Sequence, residues 1–133
     1  MGNEKKVFIA DDDEAIVRSL CKMLELSGFQ VEACLDAKEI LPTVKSFKPQ
    51  IILLDLLMPH LGGFEICEML NNDQETQGIP IIVVSSVAGY TDIKKAFKLG
   101  VIGYINKPYD FSKLLEEINK AIAYKKGSVP GSS

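Results

Sequence analysis

The chain has 133 residues, a hydrophobic fraction of 47%, a charged fraction of 25% and a formal net charge of −3. That suits one domain burying about two-thirds of its unfolded surface, and it excludes a binder that relies on excess positive charge to hold nucleic acid. Cys21, Cys34 and Cys67 are odd in number, widely spaced and form no C-x-x-C, which excludes a disulfide or zinc framework and fits a reducing compartment. Met1–Lys6 is polar, and no apolar run approaches the ~20 residues of a membrane helix. The expectation is a soluble cytosolic domain with no membrane partner.

Val7-Phe8-Ile9-Ala10 reads as a short buried strand that ends in Asp11-Asp12-Asp13. Glu14 to Ser27 has helical spacing, with Ile16, Leu20, Met23 and Leu24 on one face; Asp13 can cap its start and Gly28 its end. Gln30 to Cys34 alternates polar and apolar residues, the pattern of an edge strand. Asp36-Ala37-Lys38-Glu39 resembles a capping box. The helix behind it, about 37–47, contains Pro42, so it is kinked or starts late. Ile51-Ile52-Leu53-Leu54 is a continuous apolar run, the mark of a strand buried on both faces. It ends in Asp55, a carboxylate that is costly there unless a cation or hydrogen bonds meet it.

Gly62-Gly63 lead into a helix over about 64–70, and the polar segment 71–78 reads as a loop. Ile81 to Val84 is another buried strand, ending in Ser85-Ser86. A short helix is expected over 91–99, stopped by Gly100, then a strand over 101–105 ending in Asn106-Lys107-Pro108. Asp110 or Ser112 caps a last helix whose apolar face carries Leu114, Leu115, Ile118, Ala121 and Ile122. From Gly127 the composition turns to Gly, Ser and Pro, so residues 127–133 read as a flexible linker stub or an expression scar.

Five strand–helix alternations imply a mostly parallel sheet covered by helices on both faces. Such sheets bind ligands outside the C-terminal strand ends. Here those ends carry Asp11 and Asp12, Asp55, Ser85, and Lys107. Clustered carboxylates repel one another unless a cation joins them. An all-oxygen donor set with open positions fits Mg2+ better than Ca2+. A hydroxyl and an ammonium beside the same metal suit a phosphoryl group, with Asp55 as a carboxylate nucleophile that forms an acyl phosphate.

At these residues the chain resembles the receiver domains of two-component response regulators, of the chemotaxis and sporulation kind. The pattern is an acid pair after the first strand (Asp11, Asp12), Asp55-x-x-Met58-Pro59 with Gly63 following, Ser85 after the fourth strand and Lys107-Pro108 after the fifth. It covers about Lys5 to Tyr124 and sets the expected receiver unit at residues 5–126. The resemblance implies a flavodoxin-like (βα)5 three-layer sandwich, α/β, with a parallel sheet of order 2-1-3-4-5. It also implies that the domain is a phosphoacceptor rather than an enzyme. Asp55 would accept a phosphoryl group from a sensor histidine kinase or phosphotransfer protein. Asp11, Asp12, Asp55 and the Leu57 backbone carbonyl would bind Mg2+, Asp11 directly or through water. Ser85, Ser86 and Lys107 would face the phosphoryl group, and the Lys107–Pro108 bond would be cis. Ser85 and Tyr104 would form the switch pair, changing how the helix 4–strand 5–helix 5 face meets a downstream protein or effector domain. A homodimer on phosphorylation is compatible with this, and direct nucleic-acid binding by this domain is not expected.

Several positions depart from the family pattern. Gly62 stands where an Asp often caps the third helix. Ser85 replaces the commoner Thr, and Ser86 a common Ala. Leu57 and Val87, two residues after Asp55 and Ser85, flank the path of an attacking water. Neither can orient that water, so slow self-dephosphorylation is expected. Taken singly, Asp11-Asp12-Asp13 would be a helix-start acid cluster, Asp55 a strand-end turn residue, Lys107 a solvated lysine and Tyr104 a packing aromatic; their order along one chain raises the functional reading. His60, the sole histidine, reads as an exposed loop residue, and the cysteines as fillers. Three rivals remain in view: a small Mg2+-dependent phosphatase of the haloacid-dehalogenase type using Asp11-x-Asp13, a receiver-like module that never accepts phosphate, and a flavin binder, whose phosphate the three acids would repel. Either a stand-alone receiver or a domain excised from a longer protein fits the sequence.

Overall fold

The structure is a computed structural model that describes residues 5–57, 62–86 and 89–126. Strands β1 (Lys6–Ala10), β2 (Gln30–Cys34), β3 (Ile51–Leu54), β4 (Ile81–Ser85) and β5 (Gly103–Asn106) alternate with helices α1 (Glu14–Leu26), α2 (Ile40–Phe47), α3 (Gly63–Asn71), α4 (Tyr90–Lys98) and α5 (Phe111–Lys126). All strand pairs are parallel, in the order β2-β1-β3-β4-β5. The uniformly apolar runs β3 and β4 are buried throughout. The alternating run β2 lies at an edge, where one face needs less cover.

Strand residues of opposite parity feed two cores. Phe8, Ala10, Ile52, Leu54, Ile81 and Val83 pack with Ile40 and Val44 of α2, Ile66, Cys67 and Leu70 of α3, and Ala96 of α4. Val7, Ile9, Ile51, Leu53, Ile82 and Val84 pack with Val17, Leu20 and Leu24 of α1 and Leu114, Ile118, Ala121 and Ile122 of α5. This is the expected three-layer flavodoxin-like sandwich. No helix among the described residues is long and apolar enough to cross a membrane.

Local hydrogen bonds set the element ends, in some places as expected and in others not. Residues Ala37–Glu39 form a 3-10 turn capped by Asp36, whose carboxylate accepts from the Lys38 N–H at 3.0 Å. α2 therefore starts late, at Ile40. Pro42 falls in its first turn, where a missing N–H costs nothing. β5 starts at Gly103 rather than 101 because the Val101 N–H closes α4 on the Ala96 carbonyl. At α1, Asp13 accepts from the Ile16 N–H, and at α5 it is Asp110 that caps, accepting from the N–H and hydroxyl of Ser112. α3 has no side-chain acceptor at Gly62. Instead Glu65 accepts from the Gly62 N–H at 2.8 Å, half of a capping box.

Gly63 is required by space. A Cβ there would lie 2.4 Å from Leu56 Cα and 2.7 Å from Leu56 Cδ2. Its N–H donates to the Leu56 carbonyl at 3.1 Å, so α3 begins directly against the backbone that follows β3. A Cβ on Gly62 would meet only the mobile end of Glu65, at 3.4 Å. Gly63→Ala is expected to destabilise the fold by about 1–3 kcal/mol through overpacking, with Gly62→Ala well below that; urea unfolding of both variants checks it.

Candidate functional site

The sheet ladder continues one residue past three strands. The Asp11 N–H donates to Cys34 O, the Asp55 N–H to Ala10 O at 2.9 Å and the Lys107 N–H to Ser85 O at 3.0 Å. Backbone pairing thus fixes where these three side chains leave the sheet. β1 and β3 are neighbours although β2 lies between them in the chain, so the crevice at their C-terminal ends is the topological switch point. Asp11 and Asp55 stand on its two sides.

Both carboxylates are buried, with residue exposures of 5% and 7%, and each divides its oxygens alike. Asp11 Oδ1 accepts from the Asp13 N–H at 2.9 Å, and Asp55 Oδ1 from the Leu57 N–H at 3.0 Å. The second oxygens share one cation: Lys107 Nζ lies 2.7 Å from Asp11 Oδ2 and 3.1 Å from Asp55 Oδ2. Asp12 is exposed, yet carboxylate oxygens of Asp11, Asp12 and Asp55 all lie within 4.8 Å of one another. Three carboxylates against one ammonium leave a formal excess of two negative charges, in a donor set of oxygen alone. That set fits a hard divalent cation.

One cation serving two anions shows in the titration of Asp11 and of Lys107. Burial pushes the Asp11 carboxyl above its ordinary 3.8; the Lys107 hydrogen bond offsets only part of this, and the charge of Asp55 adds to it. Burial alone would lower Lys107, but its contacts with Asp11 and Asp55 outweigh that and hold it above its ordinary 10.5. Lys107 therefore carries its charge throughout the neutral range.

Ser85 is fully buried at the end of β4, and Ser86 beside it is exposed. Tyr104 pairs in register with Val83 and is half-buried. Burial, then the charges of Asp92 and Asp55, push its phenol up, which places it within electrostatic reach of the crevice. The Leu57 side chain is 56% exposed. The Lys107–Pro108 peptide bond is cis. Beyond Lys107 a cleft of about 510 Å³ opens between Ala15, Ile16 and Ser19 of α1 and Pro108 and Tyr109. Met58, Pro59, His60, Val87 and residues 127–133 lie outside the described residues.

The model of the response regulator receiver domain family matches residues 7–119. The chain belongs to this family. Similar proteins include PilH of Pseudomonas aeruginosa, 33% identical over 118 residues covering 89% of this chain and 98% of PilH. RpaA of Synechocystis, a DNA-binding dual master transcriptional regulator, is 28% identical over 94% of this chain but 52% of its own length. The crystal structure of a CheY-like receiver domain protein from Methanospirillum hungatei superposes with a TM-score of 0.88 at 28% identity, covering 94% of this chain and 98% of that one. The receiver domain thus spans about half the length of RpaA and nearly all of PilH.

Within this receiver domain, sequence reasoning assigned the acids to a metal and Lys107 to a phosphoryl group, and missed that Lys107 bridges Asp11 and Asp55. The available signal was the lone cation among strand ends that otherwise carry acids and hydroxyls. Tyr109, which lines the cleft beside Lys107, was also missed and gave no signal beyond its place after Pro108.

Lys107→Met leaves Asp11 and Asp55 facing each other without a counter-ion. The expected loss of stability at neutral pH is about 1–3 kcal/mol. A carboxyl whose folded pKa is raised destabilises above that pKa, and the effect vanishes as pH falls to the unfolded value. The deficit of Lys107→Met against the parent therefore shrinks as pH falls toward 3.8, the ordinary value for Asp11. In the parent, the stability from Lys107 is complete below 10.5 and is lost as pH rises beyond it. Thermal unfolding across pH checks both signs.

Proposed function

We propose that this receiver domain is a phosphoacceptor modified on Asp55. The observation that carries the reading is the meeting of Asp55 with Asp11, Asp12 and Lys107, delivered by three strand ends into one crevice. A carboxylate oxygen of Asp55 attacks the phosphorus of a phosphohistidine or a small acyl phosphate. A P–O bond forms to Asp55, the bond to the donor atom breaks, and the donor leaves with its electron pair. A divalent cation, Mg2+ by the chemistry of the donor set, would be held by Asp11, Asp12, Asp55 and the Leu57 carbonyl and would neutralise charge on the transferring group.

The chain's own residues do the rest. The Leu57 N–H holds one oxygen of Asp55 and so orients the carboxylate. Lys107 moves from a bridge between two carboxylates to a contact with a phosphoryl oxygen. Ser85, with Ser86, supplies hydrogen bonds to the same group, and Ser85 and Tyr104 act as the switch pair. The domain assists its own phosphorylation and hydrolysis but is not an enzyme in the usual sense. Residues 5–126 form the acting unit. A sensor histidine kinase or phosphotransfer protein docks over the cleft beside Lys107 and α1. The α4–β5–α5 face passes the signal to a downstream protein or effector domain, in a cytoplasmic setting, with homodimerisation as one mode of output.

Incubation with acetyl phosphate and Mg2+ should add the mass of one phosphoryl group, located on Asp55 by borohydride trapping and peptide mapping. EDTA or Asp55→Asn should abolish the addition, and Asp11→Asn should slow it without moving it. Modification that depends on Asp11 and survives Asp55→Asn would instead support the phosphatase reading. Absence of modification in the parent would leave an interaction module that never accepts phosphate.

Leu57 and Val87 cannot orient water for hydrolysis. The Leu57→Asn, Val87→Glu double variant should therefore lose the acyl phosphate faster than the parent, by on the order of tenfold for one positioned water. Decay of the trapped phosphoprotein in Mg2+ measures this.

A further inference from the structure

Helix α4 is thinly attached. Ala96 is its one buried residue, whereas α3 buries Gly63, Ile66, Cys67 and Leu70. Its N-terminal end has no side-chain cap at Gly89, and Tyr90 in its first turn is 77% exposed. Among the described residues, two directed contacts hold it toward α3. Asn71, the last residue of α3, donates its side-chain amide to the Leu99 carbonyl at 2.7 Å, which ties down the C-terminal end. In the last turn, Lys95 Nζ sits over the Phe64 ring, 4.5 Å from its centroid. Among the described residues, Lys95 is the directed contact to α3 nearest the N-terminal end of α4.

The ring that Lys95 meets is not an arbitrary surface group. Phe64 follows Gly63, which is wedged against Leu56 and the Asp55 carbonyl with no room for a Cβ. A short covalent and packed path therefore runs from Asp55 through Leu56 and Gly63 to Phe64, and across the ring to α4.

We propose that the Lys95–Phe64 contact is a latch that holds α4 in its resting position and couples that position to the backbone at Asp55. The proposal rests on the reading of Asp55 as phosphoacceptor. A conformational equilibrium moves only by the difference in interaction between its two states. A cation over an aromatic ring at a partly exposed position is worth a population shift of about two- to fivefold. Releasing the latch raises the fraction of molecules with α4 displaced. Because the site and the helix are coupled, that fraction also accepts phosphate more readily.

The test uses the full chain. Lys95→Met keeps the aliphatic stem and loses the charge, and Lys95→Arg returns a cation to the ring. Lys98→Met removes a charge from the same end of α4 without facing a ring among the described residues, so it controls for the helix dipole. Amide hydrogen exchange in α4, read without any phosphodonor, should rise about two- to fivefold in Lys95→Met relative to Lys98→Met, and stay near the parent in Lys95→Arg. Exchange in α1 should not change. The initial rate of phosphorylation by acetyl phosphate should rise by the same factor. Phe64→Leu should reproduce both effects, and the double variant should add nothing further. Unchanged α4 exchange in Lys95→Met overturns the latch whatever the phosphorylation rates show. Raised exchange with an unchanged or lower rate overturns the coupling. If the parent takes up no phosphate, the phosphoacceptor reading fails, while exchange still reads the latch.

Discussion

One ammonium held between two buried carboxylates is the contact on which this crevice depends. Asp11 and Asp55 are brought together by strands that are neighbours in the sheet, and their charges would repel across the switch point. Lys107 arrives from the far side of the sheet and answers both, at 2.7 and 3.1 Å. It does so incompletely. Asp11 remains raised in pKa because burial and Asp55 together exceed what a shared cation returns. The remaining negative charge, in a donor set of oxygen alone, fits a divalent cation.

The sheet makes this arrangement reproducible. The backbone of each of the three residues is hydrogen-bonded to a neighbouring strand one position past the regular ladder. Each side chain therefore leaves the sheet from a fixed point. The backbone donors from Asp13 and Leu57 then orient one oxygen of each carboxylate. Gly63 extends the same logic outward. Its missing side chain lets α3 start against Leu56, so the element after β3 is seated directly on that strand's end. The apolar residues of β3 and β4, buried throughout, anchor the strands from which Asp55 and Ser85 emerge.

Much of this was legible in the residues. Continuous apolar runs marked β1, β3 and β4 because only a strand covered on both faces needs no polar side, and the alternating run marked β2 as an edge. The acids, hydroxyl and lysine were found by asking what an apolar strand needs at its end. Element boundaries were less legible, because single hydrogen bonds set them. The Val101 N–H could have begun a strand but closes α4 instead, and it is the Asp36-capped 3-10 turn that decides between the kink and the late start that Pro42 left open for α2. The Glu65 bond to Gly62 was invisible because Gly62 offers no side chain to signal a cap.

The sequence alone determined the order of strands and helices, the chemical identity of the groups at the strand ends, and the family to which the chain belongs. The first two follow from periodicity and local composition, which are properties of neighbours along the chain; the family follows from the resemblance of the strand-end motifs to receiver domains. The tertiary structure decided which carboxylate shares Lys107 with Asp55, that Asp12 is the exposed member of the acid cluster, and that Lys95 of α4 rests on a ring whose place is set beside Asp55. Such pairings depend on strand order, register and helix seating between residues separated by 31 to 96 positions. Distances of a few ångströms across that span exist only once the sheet has closed.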